Sequence, residues 1–372
     1  MEKIFSYYYE WWKNIDKFIF FIIFLLFLLG LFFSLVSTSI IASDKLNTNT
    51  YYFFIKHLFF IFLGTFLLIS FSFIEQKKLL NMSKILFLVS FVALALIPFI
   101  GIEVKGSARW LDLPFFPRFQ PIELVKPFFI IMVSLILTLK DRNNLYIKYL
   151  FSLGIVLPII LFLISQPDIG QTLLIILTWL SLVFVSGINL IFFFSFFIII
   201  FSILTYLIVF LPKFEYIRIR LSSFLDPNSG NNYQSERASE AISNGGFFGM
   251  GIGEGKLNSR IPEAHTDYII SVIAEEFGII IVIIIMILFL IFSYKVIQKV
   301  YYEKDNITKL ILVGAVTLIL AQTFIHIGVN LRILPTTGMT LIPSRQLVWG
   351  YVIKPQLGLS LLMWPKPQTR TT

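Results

Sequence analysis

A chain of 372 residues that is 57% hydrophobic, 17% aromatic and only 14% charged is too apolar for a water-soluble domain, in which about a quarter of residues are charged. Its repeated apolar runs of about twenty residues read instead as transmembrane helices. The absence of cysteine excludes a disulfide framework, a thiol nucleophile and a cysteine metal site, and a net charge of +9 points here to cytoplasmic anchoring of loops rather than to nucleic acid.

The predicted fold class is all-α: a polytopic membrane protein with about ten spans and one large extracytoplasmic loop. The aromatic, mixed-charge segment 1–17 reads as an interfacial lead-in. The first apolar run is too long for a signal-peptide core and lacks a small-residue cleavage site, so it is expected to stay as a span. One membrane domain, 1–372, is expected, with spans at about 18–41, 52–74, 84–102, 121–139, 148–165, 171–186, 190–211, 266–292, 310–329 and 346–363. The fourth carries Glu123 and Lys126, the fifth ends at Gln166-Pro167-Asp168-Ile169-Gly170, and Lys354-Pro355 interrupts the tenth. Between the seventh and eighth lies the large loop 212–265, with a Gly-rich run, GGFFGMGIGEG. Lysine and arginine concentrate in the short loops that share a side with the N-terminus, which is therefore predicted to be cytoplasmic and the loop 212–265 external. That loop nonetheless carries Lys213, Arg218, Arg220, Arg237, Lys256 and Arg260, which suggests an anionic ligand outside.

Four groups of polar residues bear on chemistry. Pro262 suits the first turn of a helix, and a helix starting there places Glu263, Asp267, Ser271 and Glu275 on one face. Carboxylates entering a span usually face a cavity and carry function; the plainer reading is a solvated helix start favoured by the dipole. Glu123 and Lys126 can pair on one helix face, yet a charge pair within a span also suits Lys126, with Arg118 before it, to holding phosphate oxygens. The Gly-rich run lacks both the preceding strand and the closing Gly-Lys-Ser/Thr of a phosphate loop and reads as a flexible external loop. Gln322, His326 and Asn330 recur every four residues on the ninth span and read as hydrogen-bonding glue between helices.

Five stretches, GSARWLDLPFFPRFQPIELVKPFF (106–129), QPDIGQTLLI (166–175), AISNGGFFGMGIGEGK (241–256), IPEAHTDYIISVIAEEFG (261–278) and NLRILPTTGMTL (330–341), together resemble the SEDS family of FtsW and RodA proteins. WWKNIDKFIFF, YYFFIKH and LPTTGMTL place the chain closer to FtsW. The resemblance implies ten spans and an inner-membrane peptidoglycan glycosyltransferase that polymerises lipid II during cell division, at the septum. It implies a class B penicillin-binding transpeptidase of the FtsI type and other division proteins as partners. The acidic residue essential in the family falls on Asp267, the expected general base. The family's positions after the first motif fall on Arg118, Glu123 and Lys126. Arg109, Lys256 and Glu263 complete the expected substrate-binding set. No protein metal site is specified; a divalent cation, Mg or Mn, could share the charge on the leaving diphosphate. After TTGMTL the relatives' Pro-Phe-Ile-Ser-Tyr-Gly-Gly-Ser-Ser stretch is replaced by IPSRQLVWGYVIKPQLGL, so residues from about 342 onward read as a frameshifted or otherwise altered end. The competing functions are a lipid II flippase, which needs charges lining a path across the bilayer, and a non-catalytic scaffold that recruits the transpeptidase.

Overall fold

The computed structural model describes residues 9, 11–13, 15–46, 52–104, 107–112, 118–139, 146–226, 233–255, 257 and 267–336. The helices are α1 (Lys17–Leu46), α2 (Tyr52–Ser72), α3 (Gln76–Ile100), α4 (Pro121–Leu137), α5 (Ile147–Ser165), α6 (Ile169–Val185), α7 (Leu190–Phe210), α8 (Glu215–Leu225), α9 (Tyr233–Gly245), α10 (Ile269–Phe277), α11 (Ile279–Tyr302) and α12 (Asn306–Asn330). Six of them, α1, α3, α5, α7, α11 and α12, are long and apolar enough to cross a membrane, and α2 and α6 contain shorter apolar stretches. The chain is a helical membrane protein. The expected tenth span, 346–363, and the altered end lie outside the described residues.

The helix ends sort into two polar layers. At one end Trp11 Nε1 donates to Ser72 Oγ at 2.7 Å. There too Gln76 Nε2 donates to Asp305 Oδ2 at 3.1 Å and to Thr308 Oγ1 at 2.8 Å, while Asp305 caps α12 by accepting from the Thr308 N–H. The lead-in, the α2–α3 turn and the α11–α12 turn therefore share a side. At the other end gather the segment after α3, the α5–α6 turn, α8 and the head of α10.

Between these layers α12 is the shared wall, with 72% of its apolar window buried. Leu310, Ile311, Leu318, Ile325 and Val329 pack into a core with α3, α4, α5 and α6. Leu312, Val316, Ile319 and Ile327 pack into a second core with α1, α10 and α11. In lipid no hydrophobic force drives helices together, so close van der Waals approach does. Gly314 permits it: a Cβ there would stand 2.6 Å from Ile130 Cγ2 of α4. Hydroxyls inside the bundle are satisfied locally, as in Ser134 to the Ile130 carbonyl and Thr178 to the Leu174 carbonyl, both at 2.7 Å. Helix α7 is peripheral, with none of its residues buried.

Several expectations are revised. Between the expected third and fourth spans, β1 (Ile102–Val104) and β2 (Ser107–Trp110) pair antiparallel. The 212–265 segment contains α8 and α9. Helix α3 starts at Gln76 rather than near 84, and α11 continues to Tyr302, past the expected end near 292. The eighth apolar run is two helices, broken at Gly278, which lies at φ +84°. Nor does the helix carry Asp267: residues 267–268 form a turn and α10 begins at Ile269.

The Gly-rich run is packed, not loose. Its turn docks against the α10–α11 junction, where Met250 N–H donates to the Glu275 carbonyl at 2.8 Å, Gly251 N–H to the Glu276 carbonyl at 3.1 Å, and Ile279 N–H to the Gly246 carbonyl at 3.0 Å. A Cβ at Gly245 would stand 2.0 Å from the Ala274 oxygen, and one at Gly278 2.1 Å from the Phe247 oxygen. Two backbones meet where no side chain fits.

Gly278→Ala is therefore expected to destabilise the protein by more than about 2 kcal/mol, from the left-handed backbone and the contact together. Gly154→Ala, in the α5 interior with nothing within 4 Å of the new Cβ, should be neutral or stabilising. Thermal unfolding of the purified variants in detergent checks the pair.

Candidate functional site

The second polar layer, where β2 and the ends of α4 and α6 meet, is built around two ion pairs, one fully buried and one partly so. Pro121 opens α4, so Glu123 lies in its first turn and Lys126 one turn on. Both are fully buried, and Lys126 Nζ stands 3.2 Å from Glu123 Oε1. Gln171, near the start of α6, donates to the same Glu123 oxygen at 3.0 Å. Asp168 caps α6, accepting from the Gln171 N–H at 3.2 Å. Arg109, carried on β2, reaches Asp168 Oδ2 at 3.5 Å and donates to the Pro167 carbonyl at 2.9 Å. Lys126 is also within electrostatic reach of Asp168, so the two pairs form one network. A buried pair is tolerated in a span only with such geometry and added hydrogen bonds. Gln171 Oε1 and Gln166 Nε2 are buried beside it without a hydrogen-bond partner, as at a site that takes water or ligand.

Asp267 meets this network from the other side of α12. It is half-buried, in the turn that leads into α10. Its position is set by its backbone: Asn330 Nδ2 donates to the Asp267 carbonyl at 2.9 Å, and Asn330 Oδ1 accepts from the Ser271 N–H at 3.2 Å and the Ser271 hydroxyl at 3.0 Å. The Asn330 end of the polar stripe thus acts as interhelical glue. Buried Glu275, farther along α10, accepts from the Leu257 N–H at 3.0 Å and so holds that loop.

The link between the two halves is Arg220 on α8, which interacts electrostatically with Arg109, Tyr268, Asp267 and Asp168. Burial, and then the neighbouring Arg109 charge, push its guanidinium below the ordinary arginine value, while Tyr268, Asp267 and Asp168 pull it back. Its Nη1 donates to the Thr336 carbonyl at 3.0 Å. Sequence reasoning counts Arg220 among the external basic residues without assigning it to the site. Nothing in the sequence distinguishes it from Arg218, two residues before it on α8.

Of the expected site residues, Asp267, Arg109, Glu123 and Lys126 thus belong to one polar layer. Arg118 stands apart: it is 62% exposed and pairs with Asp112 at 2.8 Å. Lys256 and Glu263 lie outside the described residues. Among the described residues no three acidic or histidine side chains converge in a way that could hold a metal ion, so no step is assigned to one. The layer offers a carboxylate at the membrane surface beside two guanidiniums that repel one another. That is a place for proton abstraction next to an anion.

The family model described as "Cell cycle protein", for FtsW, RodA and SpoVE, matches residues 16–343. The match stops close to where the chain departs from the expected TTGMTL continuation. A protein of Caulobacter vibrioides named "probable peptidoglycan glycosyltransferase FtsW" is 31% identical over 69% of this chain, which spans 65% of that protein's length. A protein of the same name from Buchnera aphidicola is 36% identical over 70% of this chain and 75% of its own. One from Wigglesworthia glossinidia is 34% identical over 88% and 87%. Among solved structures, a chain of a peptidoglycan synthase complex superposes with a TM-score of 0.75 at 23% identity, covering 94% of this chain and 97% of that one. Thermus thermophilus rod shape determining protein RodA superposes at 0.67 and 21% identity, covering 95% and 96%. These superpositions establish a common fold.

The buried network generates a double-mutant test. Glu123→Gln and Lys126→Met, made singly, each leave an uncompensated buried charge and are expected to lose about 3–5 kcal/mol. The double variant should lose distinctly less than the sum, read from thermal unfolding of the four proteins.

Proposed function

Since this chain belongs to the FtsW/RodA/SpoVE family of cell cycle proteins, we propose that it is a peptidoglycan glycosyltransferase that polymerises lipid II at the outer face of the inner membrane, as the FtsW-type member acting in division. The observation that supports this reading is that Asp267 lies within electrostatic reach of Arg220, which is itself within reach of the Arg109–Asp168 pair. Lipid II presents a sugar and a diphosphate at that surface and keeps its isoprenoid tail in the bilayer. Asp267 takes the proton from the acceptor sugar hydroxyl as its oxygen attacks the anomeric carbon of the donor. The bond from that carbon to the diphosphate oxygen breaks, and the α-linked donor becomes a β-linked glycan in one inverting displacement. Charge builds on the departing diphosphate, where Arg220 and Arg109 offer guanidinium donors suited to phosphate oxygens. This assigns to Arg220 a role that sequence reasoning gave to Arg118. Lys126, locked to Glu123, then acts from below by holding the network's shape.

The charges cluster at one layer instead of lining a path between both, which favours an enzyme over a flippase. The same reading carries the ten-span topology with a cytoplasmic N-terminus, septal placement, and a class B transpeptidase of the FtsI type as the partner that cross-links the strands.

Asp267→Asn is nearly isosteric and keeps the backbone bond to Asn330, so the protein should insert and bind its transpeptidase normally. Glycan synthesis from lipid II, followed on gels with partner present, should fall by about 10²–10⁴, and Arg220→Gln should lower it by about 10². An Asp267→Asn protein that keeps more than about a tenth of the wild-type rate, with the wild-type active, removes general-base catalysis by this residue and leaves the scaffold reading. Orientation is checked in the cysteine-free chain: an impermeant thiol reagent should label Ser222→Cys from outside, and Lys304→Cys only after the inner membrane is permeabilised.

A further inference from the structure

The turn between α9 and the head of the α10 helix lies in a segment that topology alone would leave in water. Two independent rulers place it deeper. Phe277, at the foot of α10, packs against Phe32 and Phe33 of α1 with ring centroids 5.7 and 5.4 Å apart. Lower on α1, Lys295 of α11 sits 5.2 Å over the Phe18 ring, and together with Lys17 it marks the inner headgroup level. From Phe18 to Phe32 is fourteen residues, or ~21 Å of helix, within a hydrocarbon layer of about 30 Å. Phe277 therefore lies about 9 Å below the outer edge of that layer.

The second ruler runs along α12. Leu310, just past Lys309, and Asn330 are twenty residues apart, ~30 Å, which sets Asn330 and the Asp267 backbone bonded to it at the outer edge. Helix α10 then descends from Ile269 to Phe277, or ~12 Å. Both rulers put the α10–α11 junction well inside the outer leaflet. Gly278 at that junction is in backbone contact with Phe247 and Gly249, so the turn is at the same depth.

The turn is built for that depth. Backbone in hydrocarbon must have its polar groups satisfied by protein. Gly249 N–H donates to the Gly245 carbonyl at 2.8 Å, and the N–H groups of Met250 and Gly251 donate to the carbonyls of Glu275 and Glu276. Its side chains point outward and are apolar: Phe247 is 72% exposed, Phe248 85% and Ile252 62%. The paired charges Arg237 and Glu240 of α9 stand roughly 7–12 Å up the helix from Gly245, at headgroup level. We propose that residues 246–252 form a re-entrant turn seated in the outer leaflet, with Phe247, Phe248 and Ile252 in contact with lipid acyl chains. The turn then acts as a float: it clamps the foot of α10 and so sets the height of Asp267 over the bilayer. The proposal holds whatever reaction the site performs.

The test uses the full chain in proteoliposomes. Phe247→Cys, Phe248→Cys and, as an aqueous reference, Ser222→Cys are labelled with an environment-sensitive fluorophore. The dyes at 247 and 248 should lose most of their emission with lipids brominated on the acyl chain and little with aqueous iodide, the reverse of the dye at 222. Iodide quenching at 247 and 248 equal to that at 222 overturns the proposal; so does quenching by neither agent, which would mean that protein covers the turn. The unsubstituted chain gives a second reading. Diazirine-bearing acyl chains should leave adducts on Phe247 or Phe248 after irradiation, and adducts confined to the spanning helices overturn the proposal.

Discussion

One side-chain amide ties this molecule together at its functional end. Asn330, at the tip of α12, the most buried of the six long apolar helices, donates to the Asp267 carbonyl and accepts from the N–H and hydroxyl of Ser271. A primary amide is suited to this, because it donates and accepts in one rigid plane. The aspartate's backbone is fixed while its carboxylate stays half open to the outside. Precision at the surface is thereby taken from a helix whose own position is set by two packed cores.

The charges facing Asp267 obey a related economy. Each cation of the layer has a carboxylate within reach: Lys126 has Glu123, Arg109 has Asp168, and Arg220 has Asp267 and Asp168. The pair deepest in the layer is fully buried and geometrically tight, as an ion pair among apolar helices must be. The pair nearer the surface is looser, and Arg220 beside it is a guanidinium whose closest electrostatic company includes another guanidinium. Order falls off along the layer, from the fully buried Glu123–Lys126 pair to the looser Arg109–Asp168 pair.

Much of this was legible in the residues. Apolar runs marked the long helices, though not all of their ends, the three-residue spacing of Glu123 and Lys126 implied their pairing, and the four-residue stripe ending at Asn330 implied a glued helix contact. What escaped notice depends on partners far apart in the chain. Asp168 reads as the end of a span, and only folding brings Arg109 to it. Arg220 is one cation among several in its segment. The glycines at 245, 249 and 278 suggest looseness when each is read alone; their function appears when residues 245–250 and 274–279 are laid side by side, with no room between. The break at Gly278 was hidden because apolar residues continue unbroken across it, and hydropathy does not register a change of direction.

The two-faced burial of α12 has a consequence for how the protein comes into being. One core needs this helix to close against α4 and α6, the other needs it to close against α1, α10 and α11. Yet it is made after all of them. Until α12 is added, neither core has its common wall: the Glu123–Lys126 side of one and the α10 side of the other stay open. Among the described helices, the arrival of this one segment therefore closes both cores and makes the Asn330 bond at once.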